Sequence, residues 1–189
     1  MSGAFYTVAS SKGSPDKLVK LMAHFAERMR KRGYQLRAGS DRMSEAAMEA
    51  AVQEGHFIIP DGEGSHLLSL SADSPSTHQK AIRMIPGMVE MSESDRSLAR
   101  VAVARTFGPE TLAPSRMIVI WSADGAYSIS TLTAATPKEI AFQVRVAELG
   151  NVPLLNLAHK PHRDKVIGMV KKSTKKSAMQ QLAARKVRS

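Results

Sequence analysis

Ser115-Arg-Met-Ile-Val-Ile-Trp-Ser-Ala-Asp-Gly125 and, after a short spacer, Thr133-Ala-Ala-Thr-Pro-Lys-Glu-Ile-Ala-Phe-Gln-Val-Arg-Val-Ala-Glu-Leu-Gly-Asn-Val-Pro-Leu-Leu-Asn-Leu157 decide the fold. Met117 to Trp121 is a continuous apolar run rich in β-branched residues, the pattern of a strand buried on both faces of a parallel sheet. Pro137 suits a helix start, where no N–H donor is needed. Ile140, Val144 and Ala147, joined by Phe142 and Val146, give that helix an apolar side, and Gly150 stops it. Val152 to Leu157 reads as a second buried strand. A right-handed crossover then brings both strand ends to one rim of the sheet. Open α/β sheets bind ligands beyond the carboxyl ends of their strands. The candidate site is therefore Trp121 to Gly125 together with Thr133 to Lys138.

The same alternation runs through the rest of the chain. Ala4 to Ala9 is a short first strand, and Ser10-Ser-Lys-Gly-Ser14 is a polar loop. Pro15-Asp16 opens a helix whose apolar positions, Leu18, Val19, Leu21, Met22, Phe25, Ala26 and Met29, follow the i, i+3, i+4, i+7 rule up to Gly33. Tyr34 to Arg37 is a second strand. Asp41 or Ser40 caps a helix from Arg42 to about Gln53, closed by Gly55, and His56 to Pro60 is a third strand. Asp61 to Thr77 reads as a long surface excursion. Helices are predicted from Thr77 to Ile85 and from Ser92 to Phe107. Together these predict an α/β, Rossmann-like, doubly wound and mainly parallel sheet flanked by helices over residues 1–157, followed by a basic, partly helical C-terminal extension over 158–189.

Charge separates the two regions. Residues 158–189 carry ten bases against one acid, Asp164, whereas residues 1–157 carry 17 bases against 16 acids. The field of the protein therefore belongs to the extension. Lys171-Lys172 and Lys175-Lys176 recur at i, i+4 and form one cationic stripe on a helix. Lys165, Arg185, Lys186 and Arg188 extend it. Such a stripe gains affinity for a phosphate backbone by counterion release, without reading sequence; a solubilising tail, or one that grips an acidic protein, has the same composition. There are no cysteines, which excludes a disulfide framework, a thiol nucleophile and Cys-ligated zinc. No apolar run approaches the length of a membrane span, and no signal peptide is read at the N-terminus, so a cytoplasmic location is expected.

Within the body, Thr133, Thr136 and Lys138 offer hydroxyls, a helix N-terminus and an ammonium to a phosphate, and equally suit a capped helix start. Asp124-Gly125 is either a ribose- or metal-facing strand end or a turn. Arg37, beside Gly39 and Ser40, either reaches an anion or pairs with Asp41 or Glu45. Trp121 either stacks on a base or packs the sheet end. Ser10 and Ser11, in the polar loop after the first strand, join the nucleotide-binding candidates. The six histidines form no metal pattern with carboxylates, and neither a metal nor a cofactor is expected.

The order of these segments resembles the SLOG superfamily of Rossmann-like domains, which includes the DNA-processing protein DprA (Smf) and the LOG nucleotide phosphoribohydrolases. The segments are Arg-Gly-Tyr, Gln35-Leu-Arg-Ala-Gly-Ser40, the Phe57-Ile-Ile-Pro60 strand, Arg105-Thr-Phe-Gly-Pro109, the Trp121-Ser-Ala-Asp-Gly125 strand end and Thr133-Ala-Ala-Thr-Pro-Lys138. The closest likeness is to small DprA-like proteins of bacteriophages, over residues 4–157. The resemblance implies nucleic-acid binding, DNA favoured over RNA, and a homo-oligomer, with a host or phage protein as a further candidate partner. It departs from the family where two glycines become Ala134-Ala135, a third becomes Pro137, and Ser40 replaces another. The downstream glutamate of the LOG enzymes falls at Ala141, and Glu139, two residues early, is expected to point elsewhere. Hydrolase chemistry is therefore expected to be lost or changed. The expectation is a DprA-like nucleic-acid-binding protein; the alternatives are a LOG-type nucleotide phosphoribohydrolase or a non-catalytic module for a nucleotide signal or a host protein.

Overall fold

A computed structural model of the chain describes residues 4–52, 55–59, 69–109 and 113–171. The elements in order are β1 (Ala4–Ser10), α1 (Asp16–Arg30), β2 (Tyr34–Ala38), α2 (Arg42–Ala50), β3 (Gly55–Ile59), β4 (Ser69–Ser71), α3 (Pro75–Met84), α4 (Glu93–Phe107), β5 (Ser115–Trp121), α5 (Lys138–Leu149) and β6 (Leu154–Asn156). A further helix, α6, covers residues 160–171. Two 3₁₀ turns, Met88–Glu90 and Ile129–Thr131, sit in the connections.

The six strands are hydrogen-bonded in the order β4-β3-β2-β1-β5-β6, and every neighbouring pair is parallel. This is a Rossmann-like, doubly wound α/β architecture. From β1 the chain winds outward through β2, β3 and β4, then crosses to the other side of β1 to add β5 and β6. The reversal falls between β1 and β5, and a crevice forms beyond the carboxyl ends of the strands at such a switch point.

The apolar runs of the central strands divide by the two-residue period. Tyr6, Val8, Val119 and Trp121 face one side, where they pack with Met22, Phe25 and Met29 of α1 and Met43, Ala47 and Met48 of α2. Ala9, Ile118 and Ile120 face the other, against Ile140, Val144 and Ala147 of α5. From Ala99 onward helix α4 is buried nearly all round, and its Ala99, Ala102, Val103 and Phe107 meet α3 and the Phe142–Val146 side of α5. Phe142 and Val146 therefore serve a second core beside the sheet-facing stripe.

Several boundaries differ from the sequence reading, each for a local reason. Helix α2 ends at Ala50 rather than near Gln53, with Val52 already at a left-handed φ of 53°. Gly55 does not close that helix; it opens β3 opposite Leu36, where a Cβ would overlap the Leu36 carbonyl. Inside the expected surface excursion, Ser69–Ser71 pairs with β3 as an additional edge strand. Helix α3 starts at Pro75 rather than Thr77, capped by Ser74, which accepts from the Thr77 backbone N–H at 3.2 Å. The last strand shortens to Leu154–Asn156. The first part of the basic segment docks: Val166 of α6 is fully buried in the α1–α2 core cluster, with Ala158, Met169 and Val170 packed against it. Lys172, Lys175, Lys176, Arg185, Lys186 and Arg188 lie outside the described residues. Among the described residues no helix is long and apolar enough to cross a membrane.

Candidate nucleotide site at the switch point

The strand ends and the helices above them enclose a cavity of about 520 Å³. The loop after β1 supplies Ser10 to Ser14, the loop after β2 supplies Ser40 to Arg42, α4 supplies Leu98, Ala102 and Arg105, and α5 supplies Glu139 and Gln143. Ser10 and Ser11 are therefore at the site, as expected from their place at the strand end. Ser11 N–H donates to the Trp121 carbonyl at 3.0 Å, closing β1 against β5 at the floor. Gly13 takes a φ of 84°, which turns the loop back over the opening.

Asp41 holds the second loop in place. Its Oδ1 accepts from Ser10 Oγ at 2.6 Å and from the Ser44 backbone N–H at 3.0 Å, and Ser44 Oγ lies 2.6 Å from Oδ2. The carboxylate is thus an N-cap tied to β1, which leaves it little capacity to bind a ligand directly. Ser40 lines the cavity. Gly39 lies beneath the Arg105 side chain, and a Cβ there would overlap the guanidinium. Close approach, rather than an unusual dihedral, requires glycine at this position.

Arg105 is the main cation of the cavity and was not a sequence candidate. Its carbonyl accepts from Thr7 Oγ1 at 2.6 Å, which fixes the end of α4 over β1. Its Nε is buried without a hydrogen-bond partner among the described residues. Burial lowers the affinity of its guanidinium for a proton, and Asp41 and Glu139 partly oppose that effect. An arginine in the last turn of a helix ordinarily reads as a complement to the macrodipole, so the sequence carried no signal that separated it from Arg96 or Arg100. Those two instead pair with Glu93 at the start of α4, at 2.8 Å each.

Glu139 lines the same cavity, contrary to the expectation that it points elsewhere. The first turn of α5 directs it toward α4, while Ala141 lines a separate shallow depression with Asp95, Lys138 and Arg145. Gln143, one turn beyond Glu139, is a further lining residue that the sequence reading did not single out.

The remaining candidates serve other purposes. Arg37 turns inward and is 2% exposed. Its Nη1 donates to the Ala113 carbonyl at 2.7 Å, and the guanidinium sits 3.8 Å from the Phe5 ring centroid. Neither an anion site nor Asp41 or Glu45 receives it; burial pulls its pKa down to about 10. Lys138 pairs with Asp95 through both carboxylate oxygens, at 2.9 and 3.0 Å, away from the cavity. Thr136 Oγ1 donates to Asp124 Oδ2 and accepts from the Thr133 N–H at 3.0 Å, so Asp124, Thr133 and Thr136 form a latch between the β5 loop and the start of α5. Burial raises the Asp124 carboxyl, but hydrogen bonds from Ser122, Thr136 and the Ala126 N–H outweigh it and hold the group below its usual range. Gly125 makes the turn in that loop at a φ of 75°. Trp121 belongs to the core. Lys165 lies exposed on α6, and Lys171 is the last described residue of that helix.

Beside the latch, Asn156 fastens the ends of β5 and β6, donating from Nδ2 to Ser122 Oγ at 2.8 Å and to the Ala126 carbonyl at 2.7 Å. Its backbone N–H donates to His162 Nδ1 at 3.2 Å. Among the described residues no group of three or more histidine and carboxylate side chains is arranged to hold a metal ion.

No family model matches the chain, and no curated protein matches it. Among solved structures, the chain is similar to the molybdenum cofactor carrier protein from Chlamydomonas reinhardtii. That likeness covers 97% of this chain and 99% of the other, at 13% identity and a TM-score of 0.46.

Proposed function

We propose that this protein binds a nucleotide in the crevice at the β1/β5 switch point, with Arg105 as the ligand for its phosphate. The observation that carries the reading is a guanidinium over Gly39, with its Nε unpartnered, in the wall of a cavity at the carboxyl ends of a parallel sheet. A buried cation whose Nε has no acceptor among the described residues is costly to the fold, and an incoming phosphate supplies the missing acceptor. Lys12 and Arg42, the latter paired with Asp16 at 2.6 Å, line the mouth of the same cavity and supplement it. The latch formed by Asp124, Thr133 and Thr136 holds α5 in register with the crevice.

A second reading is nucleic-acid binding of the DprA-like kind, in which the basic segment holds the phosphate backbone. The ten bases of residues 158–189 favour it. The segment also begins next to the carboxyl end of β6, on the same rim as the crevice.

Titration of the full chain with inorganic phosphate, ribonucleoside monophosphates and DNA and RNA oligonucleotides across a salt series tests both. Saturable mononucleotide binding that is lost in Arg105→Met supports the crevice. Oligonucleotide binding with a steep salt slope and no mononucleotide binding replaces it with the second reading.

A further inference from the structure

Two residues of α5 that line the crevice carry acceptors with no donor among the described residues. Gln143 is 1% exposed, and its Nε2 donates to Thr106 Oγ1 at 2.8 Å. The Thr106 hydroxyl donates its own hydrogen to the Ala102 carbonyl at 2.8 Å. That hydroxyl can only accept from Gln143, so the amide cannot be reversed, and Oε1 is forced to the other side. Gln143 Oε1 is buried there with no hydrogen-bond partner among the described residues. A buried amide oxygen left without a donor is unfavourable, and native proteins rarely keep one without a use. Glu139, four residues earlier on the same face of α5, lines the same cavity, and no described side chain donates to its carboxylate. Residues so spaced have Cβ atoms about 5–6 Å apart. That separation suits two hydroxyls on adjacent carbons, one donating to each acceptor. Arg105 lines the cavity from α4, the neighbouring helix.

Resting on the crevice reading above, we infer that Glu139 and Gln143 form an acceptor subsite for the vicinal hydroxyls of a phosphorylated sugar whose phosphate meets Arg105. The subsite selects ribose over 2-deoxyribose. A ligand without the second hydroxyl leaves Gln143 Oε1 or the Glu139 carboxylate unpaired, and sites built around a hydrogen bond discriminate strongly against an analogue that cannot make it. The sugar is either free or part of a nucleotide.

The test is calorimetric titration of the full chain with inorganic phosphate, ribose 5-phosphate, 2-deoxyribose 5-phosphate, adenosine 5′-monophosphate and its 2′-deoxy counterpart. Each ribose form is expected to bind about tenfold to a hundredfold tighter than its deoxy partner. Tighter binding of the nucleotide than of the sugar phosphate assigns a nucleotide ligand, and the reverse a free sugar phosphate; either supports the subsite while the deoxy forms remain weaker. Gln143→Met is expected to bring ribose 5-phosphate down to the affinity of the deoxy sugar. Glu139→Ala, at a less buried position, gives the same readout if Gln143→Met does not fold. Equal affinities for ribose and deoxy forms, with phosphate still bound, overturn the subsite and leave the crevice reading standing. No binding of phosphate or any sugar phosphate overturns both.

Discussion

Replacing Arg105 by methionine separates a ligand-binding arginine from a structural one, because the two roles predict opposite signs. Methionine keeps most of the aliphatic stem and removes the charged guanidinium that lies over Gly39. If the guanidinium holds a phosphate, its charge-assisted hydrogen bonds contribute about 1.5–3 kcal/mol, so affinity for inorganic phosphate or a nucleotide falls by roughly 10- to 150-fold. The stability of the free protein moves the other way. The buried Nε has no partner among the described residues, and leaving such a group unsatisfied costs about 1–3 kcal/mol, which the substitution relieves. For a domain of this size each kcal/mol corresponds to about 2–4 °C, so the midpoint of thermal unfolding rises by roughly 2–12 °C. Titration calorimetry and thermal unfolding monitored by circular dichroism measure the two effects. A variant that unfolds earlier than the parent while binding phosphate equally well would refute the reasoning and make Arg105 a packing residue.

Arg37→Met is expected to destabilise the protein by about 2–4 kcal/mol, read from denaturant unfolding, because the Ala113 carbonyl loses its donor; phosphate affinity stays at the parent value. His162 is held below its ordinary pKa of 6.5 by burial first and by His159 and Lys165 after it, and its Nδ1 accepts from Asn156. Its unfolded form therefore takes up a proton more readily than its folded form. The stability it supports is complete above about pH 6.5 and declines as pH falls through the folded value, a decline that should flatten in His162→Gln when unfolding is followed from pH 7.5 to 5. A chain ending at Leu157 loses α6 and with it the buried Val166, at a cost of about 1.5–3 kcal/mol for that side chain alone.

The winding of the sheet was legible in the chain because burial on both faces leaves a direct record. A run such as Met117 to Trp121, next to a helix with an apolar stripe and a glycine stop, has few other solutions, and the observed β5, α5 and β6 follow it. The candidate site was legible only where it coincides with strand ends. Ser10, Ser11 and Ser40 reach the cavity because a loop after a parallel strand has nowhere else to go. Arg37 did not, because the side of β2 that it occupies is covered by the end of α4 and the Ala113 carbonyl. Lys138 and Glu139 are adjacent in sequence, yet successive helix residues point about 100° apart, so one meets Asp95 and the other the crevice.

By itself, then, the amino-acid sequence determined the alternation of strands and helices, the parallel sheet, the rim on which a ligand is expected and the concentration of positive charge after Leu157. These follow from periodicity, turn residues and composition, all local properties of the chain. The identity of the groups in the crevice was decided only by tertiary structure. Arg105, Glu139 and Gln143 come from helices separated by a strand and a long loop, and their sequence surroundings resemble those of ordinary surface or core positions. What distinguishes them is a donor and an acceptor left unpaired among the described residues beside one cavity, and pairing is a property of the packed fold rather than of any segment within it.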